Sequence, residues 1–414
     1  MMKIFSKWCW KGTLFLTVLL VSLPVFAESL EIKLPKNVCF RGSFDNSRWT
    51  FETTGRGRVA FLGGSITEMD GYRPMVCDYL RQKFPRTSFE FIAGGISSTC
   101  SDVGAFRLDN DILSHGAVDL FFVEFAVNDD QDGMFSVGHA IRGMEGIIRN
   151  IRTACPNVDI VMTFFVNEHL MDEYRNGDVA ASIQAHQTVA ERYAVSTINL
   201  AREIQEQIDS GQLTWDEFGG VHPAPRGNRI CADMIAALLD AAWSHSLIGA
   251  PVPHVLPEPL DRFSYSKAGF RGFDGIRTNT GEISDSVNPS GFRLYVPDWP
   301  NIPGAFRQTF AGMPLLCAEK PGAEIIFDFE GTAVGFYLLA GPDSGIIEYQ
   351  IDDGPRQRVD TYHPFSAGLH YPRAVVLADE LEYGSHHVMA RIADQKNERS
   401  SGTAVRILQI CINR

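Results

Sequence analysis

The stretch Arg58-Val-Ala-Phe-Leu-Gly-Gly-Ser-Ile-Thr67 decides the fold of this chain. Its apolar run, residues 59–62, is typical of a buried strand, and two glycines end that run immediately before Ser65. A helical pattern of apolar residues follows over 72–84. This order of strand, glycine turn, hydroxyl and helix predicts a serine at the carboxyl edge of a parallel sheet, where substrates bind. The alternative is an ordinary glycine turn in which Ser65 caps a helix.

Apolar runs continue to alternate with helical patterns as far as residue 243. Further strands are expected at 89–92, 120–124, 159–165 and 195–199, and further helices at 138–154, 183–193 and 227–243. Strands that are apolar throughout and separated by helices indicate a parallel sheet that is covered on both faces. With right-handed crossovers, the predicted fold is a three-layer, flavodoxin-like α/β/α sandwich.

The pattern changes to short alternating strands and Gly/Pro turns after residue 250. Strands are expected at 323–329, 333–339, 346–351, 374–377, 387–392 and 404–412, which predicts a jelly-roll-like β-sandwich. Short β-like pieces are also expected before the first domain, at 30–34 and 49–53. The predicted division is a signal peptide (1–27), a β-like segment (28–57), an α/β domain (58–248), a proline-rich linker (249–260) and a β-sandwich domain (261–414).

The first 27 residues have the pattern of an export signal. Three lysines (Lys3, Lys7 and Lys11) precede an apolar run at 14–23, and a small-residue cleavage site ends at Ala27. The apolar run is short for a membrane-spanning helix. We expect cleavage after Ala27 and a periplasmic or secreted bacterial protein that keeps no integral membrane segment.

The charge balance bears on the partners of the protein. Without the three signal lysines, 34 basic residues face 50 acidic ones, a net charge of −16. An acidic surface disfavours nucleic acid and anionic membranes, and it suits a neutral or weakly charged substrate. The sequence leaves the oligomeric state open.

Cysteine spacing predicts no zinc site, because the chain has no CxxC pair or Cys/His cluster. Cys9 leaves with the signal, so seven cysteines remain and at least one is unpaired in each monomer. Cys317 and Cys411 form the pair to test first for a disulfide in an oxidising compartment.

Three other stretches would meet Ser65 at one edge of the sheet. A loop of small residues, 93–99, follows the second strand, and Asn128 follows the third. His222 lies in a loop just before the last helix. Parallel strands point their carboxyl ends the same way, so these loops share one edge. A hydroxyl nucleophile, an imidazole base and N–H donors are the groups that acyl transfer requires.

These blocks resemble, in order and rough spacing, those of the SGNH (GDSL-type) hydrolases over about residues 58–243. The sequences around Ser65 and Asn128, together with the C-terminal β domain, are similar to an exported bacterial branch associated with carbohydrate esterases. The resemblance implies that Ser65 is the nucleophile, His222 the general base and Asn128 a side-chain oxyanion donor. It also implies that the Ser65 N–H contributes to the oxyanion hole and that no metal or cofactor is required.

The second block departs from the family pattern. The family's glycine aligns with Ser98, and Gly95 lies three residues earlier. The donor there is a backbone N–H, so Ser98 serves if its backbone dihedrals allow, and Gly95 is the other candidate. In the first block, Gly64 takes the place of the family's aspartate.

The largest departure concerns the triad acid. The family has an aspartate three residues before the histidine, where this chain has Gly219. Asp216 and Glu217 lie nearby, and Asp216 is the candidate acid. The alternative is a Ser–His dyad whose imidazole is oriented by a backbone carbonyl.

Several polar and aromatic residues are expected to be structural. Asp129 and Asp130 are interpreted as turn residues, with Asp129 orienting its loop, and Glu124 as a hydrogen-bonded strand end. The other histidines of the α/β region are interpreted as surface or helix residues: His115, His139, His169, His186 and His245. Seven aromatic or histidine residues of the C-terminal loops suit either sugar stacking or an interface, and an interface or core is favoured: Tyr295, Trp299, Tyr362, His363, Phe365, His370 and Tyr371.

Together these patterns predict an exported serine esterase that removes O-acetyl groups from a carbohydrate through a Ser–His acyl-enzyme mechanism. Its partner would be an acylated poly- or oligosaccharide. Two alternatives remain open: a lipase or thioesterase of the same fold that acts on longer acyl chains, and a non-catalytic glycan-binding protein.

Overall fold

The computed structural model describes residues 34–247, 249–278, 281–282 and 291–414. The expected signal peptide lies outside these residues, as does the β-like piece expected at 30–34 apart from Leu34. In the part of the chain that is described, no helix combines the length and apolar character needed to cross a membrane.

A six-stranded sheet forms the centre of the first part of the chain. Its strands are β1 (Val38–Cys39), β2 (Arg56–Gly63), β3 (Ser88–Gly95), β4 (Leu120–Glu124), β5 (Asp159–Thr163) and β6 (Ser196–Ile198). The spatial order is β1-β6-β5-β4-β2-β3, and all neighbours are parallel except β1, which pairs with β6 in the antiparallel sense. The five parallel strands have the flavodoxin-like order, so the predicted fold class is confirmed.

Ten helices surround this sheet among the described residues. They are α1 (Asp45–Thr54), α2 (Ser65–Glu68), α3 (Tyr72–Lys83), α4 (Ser101–Asp111), α5 (Val137–Ala154), α6 (Glu168–Asn176), α7 (Ala181–Arg192), α8 (Leu200–Asp209), α9 (Trp215–Phe218) and α10 (Pro225–Ala242). Helices α3 and α10 pack against each other, and α5 packs between α4 and α7. A π-helical turn, Asn128–Asp132, follows β4.

The strand expected at 49–53 is wrong, because these residues lie within α1. Threonine is β-branched and favours strands. Here the hydroxyls of Thr50, Thr53 and Thr54 each donate to the carbonyl four residues earlier, at 3.1, 2.6 and 2.7 Å. These bonds satisfy the hydroxyls within the helix. The helix also buries Phe51, whose ring packs edge-on against Phe84.

The proline-rich segment 249–260 lies against the α/β part. It contains no helix or strand among its described residues, as its prolines require. The Glu145 carboxylate accepts the N–H groups of Leu260 and Asp261 at 2.6 and 2.9 Å. The Arg149 side chain donates to the carbonyl of Pro257 at 2.5 Å. Backbone groups that a free linker would expose to water are therefore bound by side chains of α5.

The C-terminal part is a sandwich of two antiparallel six-stranded sheets, as expected. Its strands are β7 (Ala268–Arg271), β8 (Arg277–Thr278), β9 (Gly281–Glu282), β10 (Arg293–Tyr295), β11 (Leu315–Ala318), β12 (Glu324–Gly331), β13 (Ala333–Ala340), β14 (Ile346–Ile351), β15 (Gln357–Asp360), β16 (Tyr371–Ala378), β17 (Gly384–Ile392) and β18 (Val405–Asn413). The inner sheet has the order β10-β11-β18-β13-β16, with β7 paired to β18, and the outer sheet has the order β15-β14-β17-β12-β8-β9. Apolar side chains of both sheets, such as Phe327 and Phe336, form the core between them.

The inner sheet also packs on the α/β part. Its second face carries Tyr337, Leu339 and Cys411, which belong to the same apolar core as the central sheet. Helix α4 lies at this junction, and its residues from 101 to 108 are all buried. Leu34–Arg414 therefore form one compact unit.

Cys317 and Cys411, the pair to test first for a disulfide, are not bridged, and all seven described cysteines are free. Cys317 on β11 lies opposite Arg406 of β18, whereas Cys411 is five residues further along β18. At the rise of a β-strand this separation is about 16 Å, far beyond disulfide geometry.

Candidate active site

Ser65 and His222 come together at the carboxyl edge of the central sheet. Strand β2 ends at Gly63, and Ser65 is the first residue of α2. The loop between α9 and α10 brings His222 from far along the chain, so that its Nε2 lies 2.8 Å from the Ser65 Oγ. Ser65 is half-buried and His222 is exposed, so solvent and a bulky substrate can reach the pair.

Two glycines make the turn before Ser65 possible. A Cβ atom at Gly63 would lie 2.1 Å from the Glu124 Oε1, and one at Gly64 would lie 2.1 Å from the Asn128 Oδ1. Both distances are far below van der Waals contact. The aspartate that the SGNH pattern has at the position of Gly64 therefore does not fit while Asn128 occupies this place.

Glu124 supports the turn, as expected for a hydrogen-bonded strand end. Its buried Oε1 accepts the Gly64 N–H at 2.9 Å and the Thr67 hydroxyl at 2.7 Å. Burial raises the pKa of the Glu124 carboxyl to about 7, although both hydrogen bonds act in the opposite direction. A carboxyl group from β4 thus holds the residue that immediately precedes the serine.

The raised pKa of Glu124 predicts a pH-dependent stability. An ordinary glutamate has a pKa of 4.5, so the folded protein holds this proton more tightly than the unfolded chain does. The linked stabilisation is complete below pH 4.5 and is lost as the pH rises to about 7. We expect Glu124 alone to lower the free energy of unfolding by about 3 kcal/mol over this interval. Urea unfolding of wild type and Glu124→Gln at several pH values measures the difference, and parallel curves would contradict it.

Asn128 lies beside the serine turn with its amide held in place. It is buried in the π-helical turn, and its Nδ2 donates to the Asp132 Oδ2 at 2.5 Å. Burial raises the pKa of the Asp132 carboxyl to about 6, and the bond from Asn128 opposes that rise. An amide nitrogen carries two hydrogens, so one remains available for a substrate oxygen.

The N–H of Ser98, in the loop after β3, has no acceptor among the described residues. Three neighbouring N–H groups are engaged: Ile96 with the Gly63 carbonyl at 3.1 Å, Ser97 with the Glu68 carboxylate at 2.8 Å and Thr99 with the Ile96 carbonyl at 3.3 Å. No described group accepts the N–H of Ser98, whose φ of +70° is in the left-handed region. Gly95 lies at the end of β3, where a Cβ would meet the Glu68 nitrogen at 2.2 Å. The geometry therefore favours Ser98 over Gly95 as the donor.

Asp216 is not brought into the site. It is exposed on α9, and among the described residues no hydrogen bond links it to His222. Its neighbour Glu217 is occupied by the capping box with Thr214 and by Arg226 at 2.7 Å. Gly219 cannot carry the family's aspartate, because its φ is +104° and a Cβ would lie 2.1 Å from the Ala224 nitrogen. Within the described chain, no carboxylate or carbonyl orients His222, and the arrangement is a Ser–His dyad.

The dyad predicts that Asp216 is dispensable. Asp216→Asn should leave kcat for a small ester within about threefold of wild type, whereas loss of a true triad acid costs about 10⁴-fold. Initial rates with p-nitrophenyl acetate measure this. A loss of a hundredfold or more would show that Asp216 reaches His222 during turnover.

Arg107 of α4 also supports the site, and this role was not predicted from the sequence. Its side chain is 1% exposed and donates to the carbonyls of Gly63 and Gly94 at 2.8 and 2.6 Å. These carbonyls lie at the ends of β2 and β3. One guanidinium therefore links the strand that leads to Ser65 with the strand that leads to the loop containing Ser98. Arg107 is charged but buried, and α4 is only weakly amphipathic. The periodicity of the sequence therefore did not indicate that this residue supports the site.

His186 lies on α7, which agrees with its interpretation as a surface or helix residue, and it is fully buried. Its Nε2 lies 2.9 Å from Asp129, which also accepts the N–H and hydroxyl of Ser101 at 2.8 and 2.6 Å. Asp129 therefore anchors the start of α4 to the π-helical turn, which agrees with its expected role in orienting the loop. The Asp130 side chain is 10% exposed and accepts from the Asn167 amide at 2.9 Å.

Five of the seven aromatic and histidine residues singled out in the C-terminal loops are buried, as expected for residues of an interface or core. The buried ones are Trp299, Tyr362, His363, His370 and Tyr371. Tyr295 is partly buried, and Phe365 is the exception with 48% of its surface exposed. Among the described residues, no group of three or more His, Cys, Asp or Glu side chains could hold a metal ion.

Comparison with known proteins agrees with this geometry. Residues 61–230 match the model of the GDSL-like lipase/acylhydrolase family. Two crystal structures of a two-domain esterase active on acetylated mannans, one with mannopentaose, align with TM-scores of 0.70 and 0.69 at 20% identity. Both cover 91% of this chain, and the chain covers 97% and 96% of theirs, which shows that the two-part fold is shared. No curated protein matches the sequence significantly.

Proposed function

Because residues 61–230 match the model of the GDSL-like lipase/acylhydrolase family, we propose that this chain is an exported esterase that removes O-acetyl groups from a carbohydrate. The observation that carries the proposal is the 2.8 Å contact between the Ser65 Oγ and the His222 Nε2. This contact lies within the range of a nucleophile and its general base.

The proposed reaction begins with attack of the Ser65 Oγ on the ester carbonyl carbon. The hydroxyl proton moves to the His222 Nε2, and the carbonyl oxygen becomes an oxyanion. The free N–H of Ser98, the N–H of Ser65 and the second hydrogen of the Asn128 amide stabilise that charge. The intermediate then collapses as the bond between the carbonyl carbon and the sugar oxygen breaks. His222 gives its proton to that sugar oxygen, and the acyl group stays on the Ser65 Oγ.

Water completes the cycle in the second half of the reaction. His222 takes a proton from water, the resulting hydroxide attacks the acyl carbon, and the bond to the Ser65 Oγ breaks. The proton returns to the serine oxygen, and the product leaves as acetic acid, which ionises to acetate in water. Every proton that is transferred passes through the His222 Nε2, so no metal or cofactor takes part in the proposed steps.

A polar groove beside the π-helical turn supports a carbohydrate substrate. A groove of about 640 Å³ adjoins the π-helical turn and is lined by polar side chains that include Asp130, Asn167, His169 and Glu173. Such groups exchange hydrogen bonds with sugar hydroxyls. The esterase of similar fold acts on acetylated mannans. The net negative charge of the chain suits a neutral glycan better than an acidic one.

Export is part of the proposal, and it rests on the sequence of the first 27 residues. The lysines, the apolar run and the small-residue site ending at Ala27 form the pattern of a cleaved signal. Amino-terminal sequencing of the protein recovered from the periplasm or medium tests it, with Glu28 expected as the first residue.

Acetate release from a panel of acetylated mannan, xylan and bacterial glycans tests the function, with Ser65→Ala as the blank. We expect release from at least one neutral glycan. p-Nitrophenyl acetate and a long-chain ester are compared in parallel. Preference for the long chain would favour a lipase or thioesterase, and no hydrolysis of any ester would favour a glycan-binding protein.

A further inference from the structure

The β-sandwich contacts the loop that carries the free N–H. Arg307 lies in the segment before β11, and its Nη2 donates to the Ser98 Oγ at 2.5 Å. Ser98 has the left-handed φ of +70°, which residues with a Cβ rarely adopt. Such a conformation persists only where the surroundings hold it. The bond from Arg307 fixes the side chain of this residue from outside the α/β part.

The sandwich also contacts the support of Asn128. His363 Nδ1 accepts the N–H of Phe365 at 3.2 Å, so its Nε2 carries the proton and donates to the Asp132 carbonyl at 2.9 Å. Burial lowers the pKa of His363, which favours this neutral form. The side chain of Asp132 in turn accepts from the Asn128 amide at 2.5 Å.

Arg307 and His363 thus reach two different donors of the oxyanion hole by separate routes. The positive charge of Arg307 also lies close enough to Asp132 to oppose the rise in the pKa of that carboxyl. Neither residue lies in the region that matches the acylhydrolase family, which ends at residue 230. The α/β part alone therefore lacks the donors that Arg307 and His363 supply to the Ser98 hydroxyl and the Asp132 carbonyl.

We propose that the β-sandwich completes the oxyanion hole, with Arg307 and His363 as positioning residues for the Ser98 N–H and the Asn128 amide. This inference rests on the proposed esterase function. It assigns the sandwich a role in the chemical step, distinct from binding of a glycan. A small displacement of a donor matters because the oxyanion is stabilised only at hydrogen-bonding distance.

A double-mutant cycle in the full-length protein tests the Arg307 route. Arg307→Met, Ser98→Ala and the double variant are assayed with p-nitrophenyl acetate, a substrate too small to depend on a glycan site. Ser98→Ala keeps the backbone N–H but loses the bond from Arg307. We expect each single variant to lower kcat by about tenfold or more with KM changed less than threefold, and the double variant to be no worse than Arg307→Met.

Arg391→Met is the matched control, because Arg391 pairs with Glu348 at 2.8 Å on the outer sheet of the same sandwich. It should retain the wild-type kcat. Arg307→Lys keeps a positive charge and a donor, so it should recover part of the activity that is lost in Arg307→Met. If Arg307→Met melts at a lower temperature than Arg391→Met, Arg307→Lys takes its place in the cycle.

His363→Phe tests the second route and should lower kcat at constant KM, whereas His386→Phe on the outer sheet should not. Wild-type kcat in both the Arg307 and His363 variants would overturn the inference. So would a loss of kcat in the double variant that equals the product of the losses in Arg307→Met and Ser98→Ala. Either result would leave the esterase assignment intact. Failure of the proposed function is seen separately, as undiminished activity in Ser65→Ala.

Discussion

Ser65→Ala is expected to lower kcat for ester hydrolysis by about 10⁴-fold or more, which places it near the background of the assay. The reason is that the proposed reaction begins with a bond from the Ser65 Oγ, and the alanine variant has no atom in that place. The substitution removes one half-buried oxygen whose described hydrogen-bond partner is His222. Stability should therefore change little, and a thermal melt within a few degrees of wild type is expected.

Ser114→Ala is a suitable control for that experiment. Ser114 is exposed, and its hydroxyl donates only to the Asn110 carbonyl at 2.7 Å, far along the chain from the dyad. Its kcat should equal that of wild type. Activity in Ser65→Ala within tenfold of wild type would mean that another residue is the nucleophile.

His222→Ala is expected to lower kcat by about 10⁴-fold, because the serine hydroxyl then has no base to accept its proton. His222 is exposed, so its removal leaves an opening that solvent can enter. Imidazole added to the buffer should therefore restore part of the activity of His222→Ala, and it should not restore that of Ser65→Ala. Initial rates with p-nitrophenyl acetate at increasing imidazole concentration measure the recovery.

His245→Ala serves as the comparison for the histidine variant. His245 is also exposed, and it pairs with Asp45 at 2.9 Å away from the dyad. Its activity should be that of wild type with or without imidazole. If His222→Ala kept most of its activity, His222 would not be the general base for Ser65.

The pair of Ser65 and His222 could be predicted because each carries a strong local signal. Ser65 follows an apolar strand and two glycines, and His222 precedes a long amphipathic helix. The rule that parallel strands end at one edge of a sheet then brings distant residues together without any knowledge of contacts. Asn128 was predictable in the same way, as a polar residue just past the buried strand β4.

The groups that support the site could not be predicted in this way, because their partners are distant and non-periodic. Arg107 is a buried charge on a helix that is covered on more than one side, so α4 lacks the alternation that marks a surface helix. The bonds from Arg307 and His363 depend on how the sandwich docks, and the sequence carries no pattern for that contact.

The group that orients His222 could not be predicted from the sequence for a different reason. Proximity in sequence made Asp216 a reasonable candidate, but α9 turns its side chain to solvent and ends at Gly219. The φ of +104° at Gly219 strains any residue that carries a Cβ, so the aspartate of the family pattern does not fit this backbone.

Mass-spectrometric mapping of a fluorophosphonate adduct shows whether Ser65 is the activated nucleophile, because the reagent phosphonylates a serine only where a base and an oxyanion hole activate it. We expect one adduct per chain, on the peptide that contains Ser65, formed at a rate that falls steeply in His222→Ala. An active enzyme that carries the adduct on another residue, or that remains unlabelled while it hydrolyses esters, would show that Ser65 is not the nucleophile.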